Sequence, residues 1–212
     1  GFEAGNDITT GVKNTLIGGL AGDGMTTGGN NTAVGYESLS SVCTGSYNTA
    51  VGRIAMRAMT SGTENTGLGN AALLANTTGN YNTSVGSDSL KANISGHNNT
   101  ALGFEALQAA TVSNNTALGY QAGLLIGTGI QNVFVGSNAG DATDDGTNNV
   151  GVGHGALSAN CGASNTGIGH QALSVCLASN NTAVGQNAQV LVTDGAQNTS
   201  LGAYALQTTT TG

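Results

Sequence analysis

The pentapeptide Asn31-Thr32-Ala33-Val34-Gly35 constrains this chain more than any other feature, because its pattern recurs from end to end. Copies open at Asn14, Asn31, Asn48, Asn65, Asn82, Asn99, Asn115, Asn132, Asn149, Asn165, Asn181 and Asn198. Every interval between them is 16 or 17 residues. Self-similarity at one fixed period is the signature of a repeat architecture. A unit this short cannot hold a helical hairpin or a propeller blade. It fits one coil of a parallel β-solenoid, with each coil pairing to the next at about 4.8 Å.

Each column of the repeat has its own chemistry. The first is always Asn and the fifth always Gly, from Gly18 to Gly202. The second is Thr except at Val133 and Val150, and the fourth is only Val, Leu or Ile. Thr and Val share a β-branched shape suited to a strand. Columns two and four lie on one strand face, and their apolar character predicts that both point inward. The third column is small except at Leu16 and Phe134, and is expected to face out. There it either admits another chain closely or forms a face that tolerates small residues.

Beyond the Gly come a column of Ala or Ser and then a column that is Leu or Met in eight coils, Leu73, Leu90 and Leu107 among them. Part of that Leu column is expected to stay outward. A second Gly stands three residues before most of the Asn residues. The unit therefore reads as strand, Gly turn, second short apolar segment, variable loop and Gly turn, with Gly supplying positive φ at the corners. Stacked Asn side chains are positioned to form a hydrogen-bonded ladder. The expected fold is all-β: a parallel β-solenoid of about twelve coils, with residues 1–13 a partial N-terminal coil and 14–212 one continuous array. Neither end reads as a polar cap of the kind solenoids need, so the chain is expected to be a piece of a longer array.

Charge narrows the partners. The net charge is −7, with Lys13, Arg53, Arg57 and Lys91 the only basic side chains. That lacks the basic footprint of nucleic-acid binding and disfavours anionic membranes. No segment is long and apolar enough for a membrane-spanning helix, and Gly1-Phe2-Glu3-Ala4-Gly5 does not open a signal peptide. Cys161 and Cys176 are about one coil apart, so they are either a disulfide or two free buried thiols.

Few residues suggest chemistry. Asp141, Asp144 and Asp145 form an acidic loop that either holds Ca²⁺ through oxygen ligands or is a solvated turn; no calcium-binding repeat accompanies it. His154 and His170 follow the Gly in successive coils and should stack one strand spacing apart, either as a metal-binding pair, for which no third ligand repeats beside them, or as a plain stack on the surface that is a candidate for surface binding. Tyr36, Phe104 and Tyr120 occupy the same column, where they are either a surface-binding track or partly buried packing. No opposed carboxylate pair and no nucleophile–His constellation can be placed in neighbouring coils. The chain reads as non-enzymatic, with no cofactor.

The stretches from Asn31 to Leu39 (NTAVGYESL) and from Asn99 to Leu107 (NTALGFEAL) resemble the repeat arrays of phage tail-fibre proteins. They also resemble the head repeats of trimeric autotransporter adhesins, which read NSVAIG. The resemblance covers nearly the whole chain, although the period here is longer than the usual adhesin head repeat. It implies three chains packed side by side in an extracellular fibre, on a virion or a bacterial surface, attaching to a host glycan or protein receptor. Two rival readings are an ice-binding solenoid and an end-to-end filament subunit. An inward Thr column counts against ice binding, which needs Thr rows on an outer face.

Overall fold

The computed structural model of the chain describes residues 1–193 and 195–209. It is an all-β parallel solenoid. Twelve three-residue strands, from Thr15–Ile17 to Thr199–Leu201, stack into one sheet. Each of these strands is parallel to its neighbours and in register, so Thr32 pairs with Thr49 and Val34 with Val51. A second, three-stranded sheet of Val175–Cys176, Leu191–Val192 and Thr208–Thr209 runs only through the last coils. Residues 1–13 stack beneath the next coil, with the Gly5 and Asp7 N–H groups donating to the carbonyls of Ala21 and Asp23.

The Asn ladder is unbroken. Asn48 N–H donates to Asn31 Oδ1 at 2.8 Å, Asn65 N–H to Asn48 Oδ1 at 3.0 Å, and the pattern continues to Asn198 and Asn181. The other arm of the amide closes the corner: Asn31 Nδ2 donates to Gly45 O and Asn48 Nδ2 to Gly62 O, both at 2.9 Å. To reach those groups the Asn side chain must turn inward, and all but the terminal members are buried.

That orientation corrects the expected faces. Side chains alternate along a strand, so an inward first column brings the third inward and sends the second and fourth out. Ala33, Ala50, Ala101 and Phe134 are wholly buried, while Ile17, Leu68 and Leu102 are exposed. A one-residue change of parity exchanges the two faces of a strand, which is why β-branched shape misassigned them. The Leu column is also inside rather than partly outward: Leu73, Leu90 and Leu107 have no exposed surface. A thin coil leaves room between strand and Leu column only for Ala, Gly or Ser.

Size exceptions are matched. Leu16 and Phe134 are the only large residues in the third column, and the Leu column holds Gly22 in the coil of Leu16 and Gly140 in the coil of Phe134. A Cβ at Gly140 would overlap the Phe134 ring, and one at Gly22 would sit 2.8 Å from Leu16 Cδ2. Polar exceptions are matched once: Ser84 Oγ lies 2.5 Å from Ser89 Oγ in the same coil. Near the C-terminal end the matching fails. Gln189 occupies a Leu position wholly buried, and neither its amide atoms nor Ser200 Oγ has a hydrogen-bond partner among the described residues.

The corners divide the work of the two Gly columns. The Gly after each strand has φ between 124° at Gly202 and 141° at Gly69, where a side chain is strained. The Gly before each Asn does not have positive φ, contrary to expectation. It is small because a Cβ at Gly28 or Gly62 would strike the carbonyl oxygen of Gly45 or Gly79 in the next coil. Most of the chain has turns where a second apolar segment was expected. In the coil from Asn82, the residues Asp88, Leu90 and Asn98 adopt left-handed φ of 58°, 47° and 57°. Their N–H groups point alternately backward and forward, to Asn70 O, Ala106 O and Asn80 O.

Two measurements check this packing. Ala101→Asp should lower stability by about 3–5 kcal/mol, the scale of an uncompensated buried charge, whereas outward Val85→Asp should stay within about 1 kcal/mol in urea unfolding of dilute protein. Phe134→Ala should cost about 3–5 kcal/mol, and adding Gly140→Leu should recover a large part of it. In the wild-type background Gly140→Leu alone should destabilise by overpacking, so the double-mutant cycle will be strongly non-additive.

Candidate interaction surface

The outward columns of the large sheet form the most extended surface feature. Thr and Val stand side by side in strand after strand, as Thr32 with Val34 and Thr49 with Val51. The fourth column includes Ile17, Leu68, Leu102, Leu118 and Ile168, all exposed, and the strip carries no charged residue. Twelve strands at about 4.8 Å make it roughly 50–55 Å long, and a three-residue strand makes it about 7–10 Å wide. An apolar strip of roughly 350–550 Å² is comparable to the largest patch a typical monomer exposes, and such patches are often functional.

The corner beyond the Gly carries the aromatic and imidazole column. Phe104 and Tyr120 stack with centroids 5.7 Å apart and planes 9° from parallel. His154 and His170 stack at 5.3 Å and 10°. In-register coils impose both contacts, since one residue per coil occupies this corner. Tyr36 is half exposed but stands four coils from Phe104. Its hydroxyl is raised by a hydrogen bond with the Glu37 carboxylate, and Glu37 also pairs with Arg57 at 3.3 Å. Because the Phe104 and Tyr120 rings cover one another, each has only one face free for a ligand.

The three acidic residues do not converge. Asp141 Oδ2 accepts from Asn138 Nδ2 at 3.1 Å, while its Oδ1 is buried and unpaired. Asp144 instead offers its backbone carbonyl to the N–H groups of Gly127, Thr128 and Gly129. Asp145 is exposed. Among the described residues no group of three His, Cys, Asp or Glu is arranged to hold a metal, and no cavity opens.

Cys43, Cys161 and Cys176 are free and buried. They belong to an inner column, which also includes Met25, Met59, Asn76, Asn93 and Ile126, that the repeat pattern hid because its chemistry varies from coil to coil. The two amides in it are satisfied locally, Gly79 N–H donating to Asn76 Oδ1 and Gly96 N–H to Asn93 Oδ1, each at 3.0 Å. Cys161 and Cys176 meet across successive coils. Interaction with Cys176, followed by burial, raises the Cys161 thiol, and interaction with Cys161 lowers Cys176.

Burial raises Asp141 above the ordinary carboxylate value, against the Asn138 amide that donates to it, which lowers it. A raised folded value means the native state holds the proton longer than the unfolded chain does. The stability from this group is present below about pH 3.9, the unperturbed value, and is lost as pH rises through the folded one. Asp141→Asn should remove that fall, which urea midpoints measured across the acid range will show.

No family model matches this chain, and no curated protein or solved structure matches it.

Proposed function

We propose that the chain is a non-enzymatic structural and adhesive segment of an extracellular fibre, working as a side-by-side homotrimer on a virion or bacterial surface. The single observation that carries this reading is the uncharged Thr and Val/Leu/Ile strip, continuous over twelve in-register strands. A strip of this kind is stabilised when water is excluded from it along its length. Because it repeats in every coil, a straight neighbour with the same repeat matches it throughout.

Size sets a condition on the trimer. Roughly 350–550 Å² is less than the about 800 Å² per partner of a standard interface. The contact therefore extends around the corner to the column of Tyr36, Phe104 and Tyr120, half-exposed aromatics of the kind that interface cores favour. The opposite, turn-rich side, solvated by Asn, Ser and Thr, remains for a host glycan or protein receptor.

One observation favours a second reading, an ice-binding face. The Thr column is outward, so hydroxyl and methyl groups repeat at the strand spacing on a regular sheet, and the objection that Thr lies in the core falls away. Light scattering on purified protein separates the two. A trimer mass that Leu102→Asp with Leu118→Asp reduces to monomer supports the fibre. A monomeric wild type that inhibits ice recrystallisation, and loses that inhibition in Thr100→Tyr, supports the ice-binding face and overturns the trimer.

A further inference from the structure

We propose that Cys161 and Cys176 are a dithiol that oxidises to a disulfide, stapling two successive coils near the C-terminal end of the sheet. This inference holds whether or not the fibre reading does. The two side chains come from adjacent coils, occupy the same inner column and are both wholly buried, and each thiol shifts the acidity of the other. Cys161 Sγ lies 4.0 Å from Leu173 O, three residues before Cys176 on the next coil. Coils separated by about 4.8 Å meet the Cα separation of roughly 4.4–6.8 Å that a disulfide needs.

The ladder is weakened at this place. Asn165 N–H still takes Asn149 Oδ1, but Asn149 Nδ2 has no partner among the described residues. The carbonyl it would meet, Gly162 O, accepts from Asn165 Nδ2 instead. One of the two hydrogen bonds that fasten a corner is missing one residue from Cys161. A covalent link there replaces it.

The reaction needs a small oxidant able to enter the core, and a peroxide fits. Cys176 is the attacking sulfur, since Asn181 Nδ2 donates to its Sγ at 3.8 Å and so favours the thiolate. As thiolate it attacks one peroxide oxygen, breaks the O–O bond and becomes a sulfenic acid while hydroxide leaves. That hydroxide takes up the proton Cys176 released; Cys161 then attacks the sulfenic sulfur, the S–O bond breaks as the S–S bond forms, and the sulfenic oxygen leaves as water with the Cys161 proton. Two thiols and one hydrogen peroxide give one disulfide and two waters.

Cys43 is the internal control, being equally buried with no cysteine beside it. Wild-type protein treated with stoichiometric hydrogen peroxide should lose two hydrogens in intact mass. Thiols titrated in denaturant should fall from three to one, peptide mapping should join Cys161 to Cys176, and reductant should lower the melting temperature of the oxidised form. Cys161→Ser should form no intramolecular link. Three surviving thiols, oxygen added at sulfur in place of the link, or a disulfide through Cys43 would each overturn the proposal.

Discussion

The asparagine ladder is the interaction on which the rest of this solenoid depends. Each side chain takes the backbone N–H of the next coil through its oxygen, and in nearly every coil its nitrogen holds the carbonyl that closes the corner. An unmet buried backbone group costs about 1–3 kcal/mol, so two are satisfied per coil by one side chain. Thr could not reach both groups, and Asp would bring a charge into a stack of identical neighbours. The ladder also fixes register, because every Asn must lie over the one before.

Register in turn sets the inner dimensions. With coils directly superposed, two Gly columns pass so close to the next backbone that no Cβ fits. Between them the interior is one side chain deep, and the third and ninth columns share a fixed volume. Phe134 against Gly140 and Leu16 against Gly22 are two solutions to that one constraint. Left-handed residues at Leu90 and its counterparts are strained by about 1–2 kcal/mol each. They persist because burying the Leu side chain contributes about as much or more, and because each N–H so turned finds a carbonyl in a neighbouring coil.

The same geometry explains how surface features arise here. Any residue type repeated in a column becomes a row, and neighbours in a row touch. Phe104 with Tyr120 and His154 with His170 need no further cause to stack. The apolar strip of the large sheet is the longest such row, and it is the one for which solvent exposure is least favourable.

The sequence by itself determined the period, the parallel stacked architecture, the Asn ladder and the stacking of His154 on His170, because each follows from identical residues recurring at one interval. Parity was left to the tertiary structure. The shape of Thr and Val suggests core, although an inward Asn column, taken with strand alternation, requires Ala33 and its counterparts to be inside. The Gly before most of the Asn residues suggests a left-handed corner, whereas contact with the next coil's carbonyl decides it. The matching of Phe134 with Gly140 was legible as paired exceptions, but its meaning required knowing that the two columns face each other. The meeting of Cys161 with Cys176 depended on how a shortened coil realigns, and the separation of Asp141 from Asp144 and Asp145 on which loop atoms the backbone already uses. A periodic sequence specifies which residues stack, while the width and handed turns of the coil decide which of them face inward.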